Sequence, residues 1–112
     1  MLQTFPAQTA GTTSTRRNMS LLSAEQIESQ IQKLPVEWAI VGGTQLEISR
    51  EFPDFVQALT YVNTVAKLAE EMNHHPDIQL SYGKVSLIIT THSDGGLTKK
   101  DFDLAKAVEE IS

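Results

Sequence analysis

The sequence predicts an α+β fold in the order α-β-β-α-β-β-α, a four-stranded antiparallel sheet with helices packed on one face. Two observations carry that reading. Apolar residues repeat at three and four in three separate stretches and alternate at two in four others. Each neighbouring pair of alternating stretches is joined by a glycine turn short enough for a hairpin.

Ser23 and Gln26 have capping-box spacing, and Leu22 can staple onto Ile27 across the helix start. Ile27, Ile31 and Leu34 form the stripe of a first helix over 23–34, ended by Pro35. From Val36 the pattern alternates, with Val36, Trp38 and Ile40 on one face. Gly42-Gly43 permits the positive φ values of a tight hairpin, and Leu46 and Ile48 continue on the return strand. Pro53 and Asp54 suit the first turn of a long helix running to Met72, with Phe55, Leu59, Val62, Ala66 and Ala69 as its stripe. Val56, Val65, Leu68 and Met72 widen its apolar surface beyond what one sheet face needs, so a second partner surface is expected, as a symmetric oligomer provides. A second hairpin follows: Ile78, Leu80 and Tyr82, a turn near Gly83, then Val85, Leu87, Ile89 and Thr91. Ser93 to Gly96 form a turn. Thr98 with Asp101, and Leu97 with Phe102, repeat the cap and staple before a last helix that buries Ala105, Val108 and Ile111.

The chain of 112 residues has no cysteine, which excludes disulfides and a thiolate metal cage. The formal net charge of −5 opposes direct nucleic-acid binding, and no apolar run approaches the ~20 residues of a membrane span. Residues 1–19 are rich in Thr, Gln, Ala, Ser and Gly without an apolar period; they are expected to be a disordered extension to a single domain over 20–112. That segment carries Arg16 and Arg17 and no acid, a composition shared with transit peptides, but it lacks an amphipathic pattern; Met19 is an alternative start. A cytoplasmic location is expected, with organelle targeting as the alternative.

Every histidine falls between positions 74 and 92. The hairpin over 78–91 folds back on itself, so His92 is expected near His74 and His75. Imidazole gives and takes protons near neutrality, and such a cluster suits general acid-base work. Pro76 biases His75 out of the helical region, so the two adjacent rings point in different directions. Glu70, four residues before His74, has the spacing to orient that ring if the helix persists so far. Other readings stay open on the residues alone. His-His-Pro serves as a helix C-cap with cations at the negative dipole end. Three histidines with Glu70, Asp77 or Asp94 are a possible zinc set, although adjacent histidines rarely share an ion. Gly95-Gly96 before a capped helix could cradle an anion, against the simpler reading of a turn.

The run Glu70-Glu71-Met72-Asn73-His74-His75-Pro76-Asp77, then Tyr82, Lys84 and Val85, then Thr91-His92 and Gly96-Leu97-Thr98 through Asp101, resembles the pterin-4a-carbinolamine dehydratase family. The resemblance covers about 20–112 and includes Trp38 before the first glycine pair. It implies dehydration of a 4a-hydroxytetrahydropterin to the quinonoid dihydropterin, a step that recycles the cofactor of aromatic amino acid hydroxylases. It implies His74, His75 and His92 as catalytic residues, with Glu70 and Asp101 as supporting carboxylates. It also implies pterin contacts at Glu70, Asn73, Pro76, Thr90, Thr91, Ser93 and Asp101. Some members have Asp where this chain has Asn73, whose amide can still donate and accept hydrogen bonds. The implied assembly is a homodimer joined at sheet edges or a tetramer of two such dimers joined through the long helix. No metal, cofactor, nucleic acid or membrane is implied. The alternative function is a binding, assembly or transcriptional dimerisation partner on the same scaffold.

Overall fold

The computed structural model describes residues 21–111. The expectations for residues 1–19 and for a start at Met19 lie outside them. The elements are α1 (Ala24–Ile31), β1 (Ala39–Val41), β2 (Gln45–Glu51), α2 (Phe55–Met72), β3 (Asp77–Ser81), β4 (Lys84–Ile89) and α3 (Lys99–Ile111), with a short 3-10 turn at His92–Asp94. This is the expected α-β-β-α-β-β-α order. The sheet is antiparallel throughout, in the order β1-β2-β4-β3.

Register puts one row of side chains on the helix side. Leu46 opposes Ile89, Ile48 opposes Leu87, Leu80 opposes Val85 and Ile78 opposes Leu87. Leu46, Ile48, Val85, Leu87 and Ile89 are buried with Ala58, Tyr61, Val65, Phe102, Leu104, Ala105 and Val108 of the two longer helices. The other face carries Glu47, Ser49, Glu51, Lys84 and Ser86, so the helices pack on one side only.

Local chemistry sets the ends of these elements. Ser23 and Gln26 form the reciprocal capping box of α1. The helix stops at Ile31 rather than at residue 34. Its last amides, from Lys33 and Leu34, bond three residues back, because Pro35 disfavours a helical Leu34. A second turn, closed from the Trp38 amide to the Pro35 carbonyl, delays β1 to Ala39. Val36 is therefore not on a strand face with Trp38; it is 94% exposed while Trp38 is buried. Gly42 and Gly43, with φ of 62° and 71°, make the β1–β2 turn. Asp54, not Pro53, begins α2: its side chain accepts from the Gln57 amide.

The phase of α2 also differs from expectation. Ala58, Tyr61, Val65 and Ala69 face the core, while Phe55, Val56, Leu59 and Ala66 point away from it. Apolar residues surround most of this helix, and the side that is buried carries the small Ala58 and Ala69 together with Tyr61 and Val65. Tyr82 lies in the hairpin turn and is exposed, as is Ile111 at the end of α3, while Leu104 joins the buried face of α3. Among the described residues no helix is long and apolar enough to cross a membrane.

Candidate active site

The chain reverses sharply after α2. Asn73 takes a left-handed conformation (φ 52°, ψ 42°), and the His74 amide reaches back to the Ala69 carbonyl while the Asn73 amide reaches Glu70. That paired bonding is a Schellman closure, in which asparagine is the best tolerated residue after glycine. It ends the helix before His74, so Glu70 does not orient His74 along a continuing helix. The Glu70 carboxylate lies 2.6 Å from Nε2 of His75 instead, an exposed pair.

His74 turns inward. Its Nε2 is 2.6 Å from Oδ1 of Asp101, which has no exposed surface. Asp101 sits in the first turn of α3, where its Oδ2 accepts from the Thr98 amide at 2.8 Å, the acidic half of the expected cap. The same oxygen accepts from the Thr91 hydroxyl at 2.8 Å, and the Thr91 and Thr98 hydroxyls are 2.9 Å apart. Thr91 is brought there by its bridge to Gly96, closed by the left-handed Gly95; the Gly95-Gly96 pair is thus a turn. A further bridge, from Leu21 to Thr98, fastens the segment before α1 onto the start of α3.

His92 stands on the 3-10 turn, 4.0 Å by Nε2 from Oδ2 of Asp77 at the start of β3. The segment after α2 and the segment after β4 therefore lie side by side, and all three histidines occupy this end of the sheet, each facing a different carboxylate. They differ in access: the side chains of His74, His75 and His92 are 12%, 57% and 76% exposed. Pro76 is half-buried between His75 and β3. The Thr90 hydroxyl donates to the Thr44 carbonyl at 2.6 Å, and Ser93 reaches Asp94 at 3.3 Å.

A cavity of about 400 Å³ adjoins the network, lined by Thr91, Ser93, Asp94, Thr98, Lys99 and Lys100. It shares Thr91 and Thr98 with the Asp101 cluster, but none of the three imidazoles lines it. In the sequence Thr98 is legible only as a cap residue and Asp77 only as a candidate zinc carboxylate; the structure adds the Thr98 hydroxyl as a partner of Thr91 and Asp77 as the neighbour of His92. Among the described residues no group of three or more His, Cys, Asp or Glu side chains is arranged to hold a metal ion.

Residues 20–111 match the family described as pterin 4 alpha carbinolamine dehydratase. The chain belongs to that family. A relative from Cyanothece sp., named as a pterin-4-alpha-carbinolamine dehydratase, is 48% identical over 92 residues, covering 82% of this chain and 93% of its own length. One of the same name from Nostoc sp. is 46% identical, covering 82% and 97%. Among solved structures, the transcriptional coactivator/pterin dehydratase from Brucella melitensis superposes with a TM-score of 0.74 at 28% identity, covering 80% of this chain and 96% of that one. A pterin dehydratase-like protein identified as a RuBisCO assembly factor in the alpha-carboxysome shares the fold, with a TM-score of 0.58 at 19% identity, covering 67% and 88%.

Proposed function

We propose that this protein dehydrates a 4a-hydroxytetrahydropterin to the quinonoid dihydropterin and water, by histidine acid-base catalysis, in the recycling of a tetrahydropterin. The observation that carries the reading is the contact between the partly buried His74 and the buried Asp101 in a chain of this family. Loss of the 4a hydroxyl breaks a C–O bond and leaves as water once the oxygen gains a proton; a ring nitrogen gives up its proton as the C=N bond forms. One general acid and one general base account for the balance. His74, held by Asp101 and largely shielded, is the principal acid-base group in this proposal. His75, exposed beside Glu70, positions the pterin and its hydroxyl, and His92 is the second proton carrier. Imidazoles in unlike surroundings suit opposite protonation states. Glu70, Asn73, Pro76, Thr90, Thr91, Ser93 and Asp101 remain the proposed binding positions; the hydroxyls of Thr90 and Thr91 already have protein partners, so backbone groups serve the pterin there.

A homodimer or homotetramer is part of the proposal. It is supported by the outward apolar side of α2 and by β3, which among the described residues ends the sheet with one edge unpaired. The deciding experiment follows 4a-hydroxytetrahydropterin disappearance with purified protein, with and without a chelator. Accelerated loss that a chelator leaves unchanged is expected. His74→Ala should lower turnover by about a hundredfold or more. Unchanged rates in both His74→Ala and His92→Ala, with the fold retained, would remove the histidines from the mechanism. A folded protein without activity would shift the reading to a binding role, which the coactivator part of the Brucella protein's name also suggests.

A further inference from the structure

We infer that Thr98 is a positioning residue: through Thr91 and Asp101 it holds His74 in the tautomer protonated at Nε2, leaving Nδ1 as the ring's acceptor. The inference deepens the dehydratase reading and rests on it for the kinetic measurements alone.

A hydroxyl has one hydrogen to give, and that of Thr91 goes to Oδ2 of Asp101. In the 2.9 Å contact between the two threonines, Thr98 must then be the donor and Thr91 the acceptor. The bonds run in one direction, from Thr98 through Thr91 to Asp101. Oδ2 also accepts the Thr98 amide, so two donors converge on it, and Oδ1 faces only Nε2 of His74 among the contacts of this group. A carboxylate has no hydrogen to offer, so the hydrogen in the 2.6 Å contact belongs to Nε2. A neutral imidazole with Nε2 protonated presents its lone pair at Nδ1. By donating to Thr91, the Thr98 hydroxyl fixes the Thr91 hydrogen on Oδ2, so the carboxylate is held with Oδ1 turned to the ring.

Two further facts make this more than packing. Asp101, Thr91 and Thr98 are all buried, which limits the competition of water for these bonds. Thr91 and Thr98 also form one wall of the 400 Å³ cavity, so the series runs behind a space that a small molecule can enter.

The test is the ¹⁵N spectrum of the His74 ring, which separates the two tautomers by the shifts of Nδ1 and Nε2, read at a pH where the ring is neutral. The full-length protein should show Nε2 protonated. Thr98→Val, which keeps the shape and removes the hydroxyl, should add a visible fraction of the other tautomer and lower kcat by about fivefold to tenfold with KM unchanged. Thr98→Ser should restore both. A wild-type ring protonated at Nδ1 overturns the inference even if Thr98→Val fails to fold. So does a folded Thr98→Val with the wild-type tautomer and wild-type kcat. The spectrum needs no turnover, so an inactive protein with the expected tautomer and the expected response to Thr98→Val counts against the dehydratase reading and not against this one.

Discussion

Asp101 is enclosed, and every acceptor direction in use at its carboxylate meets a donor: His74 at one oxygen, Thr91 and the Thr98 amide at the other. Asparagine keeps the shape but turns one acceptor into a donor, which either faces Thr91 and the Thr98 amide or forces the His74 ring into its other tautomer. Asp101→Asn should therefore cost about 1–3 kcal/mol in a denaturant titration. Turnover should fall by about a hundredfold or more, because the ring loses the partner that fixes its hydrogen. An unchanged single-turnover rate would count against a role for the pair. A second carboxylate, Glu109, ties Trp38 and Arg50 to α3. Its Oε2 accepts from Trp38 Nε1 at 2.6 Å and from the Arg50 guanidinium. Burial of Arg50 works against its charge, but the Glu109 pair and the Tyr61 hydroxyl outweigh that, so its pKa is raised. A raised basic pKa gives stability that is present below the unfolded value and is lost only as pH rises through the folded one; for arginine that window lies far into the alkaline range, so this guanidinium adds no pH dependence near neutrality. Histidine clustering and cap spacing made His74 and Asp101 legible in the sequence. The pairing of Glu70 with His75 was not, because it depends on which residue leaves the helix first.

The elements show the same division between local and distant causes. Capping boxes, the Gly42-Gly43 turn and the strand alternation involve residues within a few positions of one another, and each was readable. The phase of α2 is set across the core, where Ala58, Tyr61, Val65 and Ala69 are buried, while the start of β1 is delayed by the local turn from Trp38 to Pro35, and sequence spacing misassigned both. Asn73 stands between these cases, since its left-handed conformation closes α2 and aims the next two residues. Asn73→Ala should lose about 1 kcal/mol, while Asn73→Gly should hold stability within a few tenths, both read from denaturant midpoints. If the amide also touches the pterin, KM rises in both variants; a rise in neither confines Asn73 to the turn. At the other hairpin, a Cβ on Gly83 would come 2.8 Å from the Phe52 carbonyl oxygen, and the Phe52 amide bonds Gly83 at 2.8 Å. Two backbones pinned together leave no flexible neighbour to yield, so Gly83→Ala should destabilise by about 1–3 kcal/mol.

For the whole molecule, one sheet face is covered by helices and α2 still carries apolar side chains on its far side. Val56 is 71% exposed, with Phe55 and Leu59 also open to solvent. A small domain buries a modest share of its surface by itself, and a chain of net charge −5 would gain little by leaving an apolar helix face in water. The proposed assembly through α2 accounts for that face, and a charge placed there separates assembly from folding. Val56→Glu and Leu59→Glu introduce carboxylates at exposed positions that touch little of the core, so the monomer's helix content should persist in circular dichroism. A symmetric contact would bring each new carboxylate towards its own copy, so both variants should elute as a smaller species in light-scattering chromatography. The unpaired edge of β3 is untouched by these changes, so a tetramer built from edge-joined dimers should fall to a dimer, not to a monomer. Wild-type protein that elutes as a monomer, or variants with unchanged mass, would reject assembly through α2. The histidine cluster lies beyond the C-terminal end of that helix, far along it from Val56 and Leu59, so per-site turnover should survive the loss of mass if each protomer's His74–Asp101 pair works alone.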